Sequence, residues 1–259
     1  MPARPLGRKK GVSDLAFGPG AVWERPTLAR HVMSVIAAWS SAESHFLRIG
    51  AKLLTGRPDV AMAMLLAIES QATQRSVIRA TARQVLREQD FNLLNAVCEA
   101  ASPSRRVRHG FAHHVWGTSP QLLDDLLLLD PKQHSTSLAA YEKWVHEKGR
   151  TGVQVEPESG AIDRSQIFRW NEKDLSEAHR DALRSSNNFI LLGAMVACEF
   201  SGPLSDTIRQ QLLMDPKIRD QFQTGCHTSA LPKQPASRPA TAVAKSTSNL
   251  QAREKPSSQ

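Results

Sequence analysis

The sequence is short of the residues that carry several common chemistries. Of its 259 residues only three are cysteine, Cys98, Cys198 and Cys226, with no two close enough to form a CxxC pair. An odd, sparse set of this kind argues against a disulfide framework or a cysteine-built zinc site, and it suits a reducing compartment. No closely spaced group of acidic residues resembles a two-metal nuclease centre. Aromatic residues make up 5% of the chain and tyrosine occurs once. The apolar runs are too short and too interrupted to span a bilayer, and no apolar segment follows the basic start as a secretion signal would require. These features together predict a soluble cytoplasmic protein without a membrane partner. No internal repeat is evident.

Positive charge is also less general than the net value suggests. The formal charge is +8, but Arg4, Arg8, Lys9 and Lys10 supply +4 within residues 1–12. Residues 224–259 supply another +4, from Lys233, Arg238, Lys245, Arg253 and Lys255 against Glu254. The region between the tails is balanced, so a globally basic nucleic-acid surface is not indicated. Composition divides the chain into a disordered basic arm over 1–22, a helical domain over 23–223 and a disordered basic tail over 224–259.

Within the domain, hydrophobic periodicity is the strongest signal. Val32, Val35, Trp39, Ala42, Phe46, Ile49 and Leu53 alternate by threes and fours, predicting one long helix opened by Pro26 and closed by Gly56. Glu43 sits one step off this seam. A second long helix is predicted from Pro58 to Glu88, with the stripe Met64, Ile68, Gln71, Arg75, Ile78, Ala82 and Val85. Arg75 on an apolar face needs an anion, and Glu43 on the preceding helix is the natural ion-pair candidate; both are also candidate substrate-binding residues. Asp90 reads as the cap of a short helix ending near Ala101, and Ser102 with Pro103 as the start of another.

Leu126–Leu129 and Ile167–Trp170 are predicted to pair as a small β-hairpin whose long connection holds a helix near 137–148, with a turn-rich loop at 156–160. Asn171 and Asp174 resemble a capping box for a helix over 175–200, interrupted by the polar stretch Ser185–Asn188, which lines a cavity or marks an exposed turn. Ser201, Gly202 and Pro203 end that helix, and a weaker amphipathic helix follows through Phe222. The expected class is therefore mainly all-α, an up-and-down helical bundle with a small β-hairpin insertion.

The chemistry-bearing groups concentrate in one place. Ser102–Gly117 reads SPSRRVRHGFAHHVWG, with Arg105, Arg106, Arg108, His109, His113 and His114 among apolar Val107, Phe111, Val115 and Trp116. Guanidinium groups grip phosphate oxygens through paired hydrogen bonds, and imidazole exchanges protons near neutral pH. That combination suits RNA transesterification without a metal: one group takes the 2′-hydroxyl proton while another stabilises charge on the phosphorane. If Ser102 and Pro103 begin a helix, its dipole adds to the attraction for anions. Arg108 and His113, five residues apart, diverge by about 140° and stand about 7.5 Å apart along an ideal helix. A shared site then needs a looser turn at Gly110 or a second copy of the helix. His109 and His113 share a face and could instead begin a zinc site, though no third ligand is identifiable.

Arg108-His109-Gly110-Phe111-Ala112-His113 resembles the R-x4-6-H signature of HEPN domains, and His114-Val115-Trp116-Gly117 is similar to the continuation seen in a bacterial subgroup of that superfamily. The resemblance spans roughly residues 26–200, although only the six-residue motif is sharp. It implies a helical bundle, pairing of two copies through the motif helix, and metal-independent endoribonuclease activity with no cofactor, in a defence or toxin–antitoxin setting. It also implies that Arg108 and His113 are the catalytic pair with His109 assisting. Arg105, Arg106 and His114 would contact substrate. This chain departs from the subgroup by carrying His109 where Asn or Asp is usual and His114 where Gly is usual. The alternative reading is a helical module that binds RNA, nucleotide or a protein partner without turnover.

Overall fold

A computed structural model of the chain describes residues 4–6, 12, 14–54, 56–151 and 163–229. Among these, nine helices are α1 (Gly20–Glu24), α2 (Pro26–Leu54), α3 (Pro58–Leu66), α4 (Gln71–Val85), α5 (Glu88–His113), α6 (Pro131–Thr151), α7 (Glu172–Ala197), α8 (Gly202–Met214) and α9 (Pro216–Ser229). Five short strands are β1 (Arg4–Pro5), β2 (Ala16–Phe17), β3 (Val115–Thr118), β4 (Asp125–Leu129) and β5 (Ile167–Asn171). The class is as expected, a helical bundle with a small antiparallel sheet.

α2 is the spine. Val32, Val35, Trp39, Ala42, Phe46 and Ile49 are all buried, as their spacing requires. Burying side chains of this size stabilises by roughly 1.5–3 kcal/mol each before entropy is subtracted. The most extensive helix pair is α2 with α7. The two run parallel, as shown by His31 meeting Glu172, the Ser41 and Ser186 hydroxyls lying 3.0 Å apart, and Phe46 packing on Phe189. Ser185 and Ser186 are buried, so this polar interval belongs to the helix interface. α5 runs the opposite way, its start beside Phe200 and its end against Trp170. The α7 start is the capping box expected from Asn171 and Asp174.

Two helices stand where one was expected between Pro58 and Glu88. Ser70 accepts a hydrogen bond from the Thr73 N–H and caps α4, which separates it from α3. At the far end, the single amphipathic helix expected after Pro203 is divided at Asp215 into α8 and α9. α9 runs to Ser229, past the expected domain end at 223.

The hairpin expectation is correct for its central pair but incomplete. β4 and β5 pair antiparallel, with Leu126 opposite Trp170 and Leu128 opposite Phe168, and α6 lies in their connection. The sheet has five strands in the order β1-β5-β4-β3-β2, and both edges come from the N-terminal arm. The arm was expected to be unstructured. Instead its Leu6 and Val12 are buried with Leu127, Leu129 and Ile167 on the outer face of the sheet. Leu126, Leu128 and Trp170 pack inward on α2, α5 and α7. Four consecutive leucines are buried because both faces of β4 are covered. The loop expected at 156–160 and tail residues 230–259 lie outside the described residues. Among those described, no helix is long and apolar enough to cross a membrane.

Gly117 fixes the β2–β3 edge. A Cβ at this position would lie 2.5 Å from a Phe17 ring carbon and 2.8 Å from the Ala16 carbonyl oxygen. Gly117→Ala should therefore detach β2 and cost about 1–3 kcal/mol, the range of overpacked sites. Denaturant midpoints measure that loss, and faster exchange of the Gly18 amide, which bonds the Trp116 carbonyl at 2.8 Å, locates it.

Candidate functional site

The Arg/His segment belongs to α5, one continuous helix from Glu88 to His113 with Pro103 inside it. This corrects the expected break at Ser102. Buried Ala101 and Ser104 hold the helix against the core on both sides of the proline. The N–H that Pro103 lacks would have met the Glu99 carbonyl, and Glu99 is exposed, so water can serve that oxygen. The consequence is electrostatic. The cluster occupies the C-terminal turns, where the helix dipole favours cations, so attraction for an anion comes from the guanidinium groups alone.

The structure also selects which residues share a face. Arg105, His109 and His113 follow at intervals of four, and Arg106 falls within about 100° of them on a regular helix. Arg106, His109 and His113 are exposed and Arg105 is half-buried. The His109 and His113 rings are 4.4 Å apart between centroids, tilted by 45°. One turn earlier, Arg105 and Arg106 each donate to the Ser102 hydroxyl, at 3.4 and 3.3 Å.

Arg108 and His114 lie off this face. The helix stays regular through Gly110, whose carbonyl accepts from the His114 N–H at 2.8 Å, so Gly110 does not bring Arg108 towards His113. Arg108 is half-buried with its Nε unpartnered. The His114 ring is half-buried, its Nδ1 also lacks a partner, and it packs near Gly110. Burial lowers the His114 pKa, aided by His109 and His113 and opposed by Asp130. Half-burial and the bias towards the neutral form weaken this ring as a contact for a phosphate.

Glu43 and Arg75 lie in a separate hollow of about 690 Å³ between α2, α4 and α5, which Arg105 also lines. They influence each other electrostatically but form no ion pair, correcting the expected salt bridge. Trp39, already named in the α2 stripe, lines the hollow too, together with Arg79, Glu99 and Cys98, which the sequence reading does not single out as site residues. Spacing was an available signal, since Arg79 lies four residues after Arg75 on α4 and Trp39 four before Glu43 on α2. Arg79 pairs with Glu99 at 2.6 Å. Burial pushes the Cys98 thiol up to about 11, against the pull of Arg79, so it is a poor nucleophile.

Among the described residues, no group of three or more His, Cys, Asp or Glu is placed to hold a metal ion, so His109 and His113 have no further protein ligand nearby. Comparison with protein-family models, with curated proteins and with solved structures gives no match. The chemical reading of the site therefore starts from its own residues.

Proposed function

We propose that this chain is a cytoplasmic RNA-acting protein that cleaves phosphodiester bonds by attack of a 2′-hydroxyl on the adjacent phosphorus. The observation that carries this reading is the exposed His109–His113 pair, 4.4 Å between ring centroids, with two arginines one turn away on the same helix. One imidazole takes the 2′-hydroxyl proton as the 2′ oxygen bonds to phosphorus. The other gives a proton to the departing 5′ oxygen, leaving a 2′,3′-cyclic phosphate and a 5′-hydroxyl. Arg105 and Arg106 hold flanking phosphates. The R-x4-6-H resemblance adds Arg108 as the group that stabilises the phosphorane, supplied across a homodimer paired through α5.

The test is incubation of the full chain with single-stranded RNA in EDTA. Products ending in 2′,3′-cyclic phosphate are expected, and an absolute requirement for a divalent ion contradicts the scheme. One observation favours the second reading, RNA binding without turnover: Arg108 and His113 point about 140° apart on an unbroken helix. In that case the chain binds RNA with an affinity that falls steeply with salt, and no product forms at any protein concentration.

A further inference from the structure

The hollow between α2, α4 and α5 gathers three of the eight buried side-chain polar atoms that lack a partner among the described residues. Trp39 is 5% exposed, lines the hollow, and its indole N–H finds no acceptor. Glu43 Oε1 and Arg79 Nε are likewise buried without partners. Arg75 makes no hydrogen bond or ion pair among the described residues. Leaving groups of this kind unpaired costs about 1–3 kcal/mol each, more where they are charged. Such a set persists when a ligand satisfies it.

Phe46, Leu47, Leu66, Ile68 and Phe189 give the hollow an apolar stretch of wall, beside the polar Gln71, Gln74, Ser76 and Ser102. Charges within the hollow divide clearly. Arg79 is neutralised by Glu99, and Glu69 is exposed. Glu43 presents an acceptor, while Arg75 and Arg105 remain as unneutralised cations on facing helices. Burial and the Arg105 charge both work against the charged form of Arg75, with Glu43 only partly offsetting them. An anion seated between the two arginines would relieve that repulsion. The volume falls within the range of small-molecule sites and not that of a nucleic-acid groove.

We infer that this hollow binds a small aromatic anion: a flat apolar body bearing one acidic group for Arg75 and Arg105, an N–H or O–H donor for Glu43, and an acceptor for the Trp39 indole. The hollow shares Arg105 with the His109–His113 face but neither histidine, and its test leaves Arg105 and both histidines unchanged, so either reading can fail alone.

The probe is 8-anilinonaphthalene-1-sulfonate, which combines an aromatic body, a sulfonate and an N–H donor, titrated into the full chain and followed by fluorescence. One saturable site is expected. Arg75→Gln should weaken it at least tenfold, and Ala72→Trp, made at an exposed position on the cavity wall, should block it. Thermal midpoints check that both variants fold, and Ala72→Trp decides alone if Arg75→Gln does not. Competition with guanosine monophosphate and with 4-hydroxybenzoate distinguishes a nucleotide from a simple aromatic acid. Displacement by inorganic phosphate as readily as by either overturns the aromatic requirement. The absence of a saturable site, or unchanged affinity in both folded variants, overturns the proposal.

Discussion

His113→Ala is expected to slow RNA cleavage in EDTA by roughly 10²–10⁴-fold, the usual contribution of a positioned acid or base. Its denaturation midpoint should stay where it was, because the side chain is exposed and takes part in none of the hydrophobic clusters. His109→Ala should fall in the same range if both imidazoles move protons, and much less if His109 only orients the strand. Arg106→Ala should change affinity and salt dependence far more than turnover, since a phosphate contact positions the strand without taking part in bond breaking. Arg108→Ala separates the two sources of the assignment. A loss as large as that of His113→Ala requires Arg108 to reach the phosphate from a second copy, because one regular helix aims the two side chains about 140° apart. Mixing inactive Arg108→Ala with inactive His113→Ala chains should then restore part of the activity, as each mixed dimer contains one complete pair. Unchanged cleavage by His113→Ala removes the imidazole scheme altogether.

The parts of the fold legible in sequence were those where one local rule acts alone. The threes-and-fours spacing along α2 needs only one apolar face, and the core supplies it. The Asn171–Asp174 box closes on itself through two local hydrogen-bonding contacts, at 2.9 and 3.5 Å, and needs no distant residue. The leucine run was ambiguous for a physical reason. A strand buried on both faces has no alternation, and the cover on its outer face comes from Leu6 and Val12 in an arm whose charge and prolines resemble a disordered segment. Pro103 was misread because a proline opens helices far more often than it sits inside one, and the packing of Ala101 and Ser104 that overrides this preference is tertiary. The Ser70 cap was visible as a serine in the right place, yet the apolar stripe ran past it. At the site, residue spacing alone sets Arg108 about 140° from His113 and puts His109 and His113 on one face. What spacing leaves open is the course of the helix through Pro103, which places the cluster at the C-terminal end of α5 and not at a helix start.

Asp90 was read as the cap of a short helix, and its actual role predicts the largest effect on stability. Its carboxylate, 1% exposed, accepts from Arg87 Nε at 2.8 Å and from Arg209 Nη2 at 2.7 Å. Arg87 also donates to the Phe200 carbonyl at 3.0 Å, where the chain turns from α7 towards α8 with Phe200 at a φ of 54°. One buried carboxylate therefore ties the start of α5 to α8 and, through Arg87, to a strained turn. Asp90→Ala should cost about 3–5 kcal/mol, because it strands Arg209, only 18% exposed, with the exposed Asp206 as its remaining acid. Losses of that size are a large share of the roughly 5–15 kcal/mol that holds a typical domain folded. Chemical denaturation measures the change, and replacing both partners explains its origin. Asp90→Leu combined with Arg209→Met should recover most of the loss, since neither charge is then left in an apolar setting. A double variant no more stable than Asp90→Ala would mean that the ion pair itself, and not the stranded arginine, accounts for the stability of this corner.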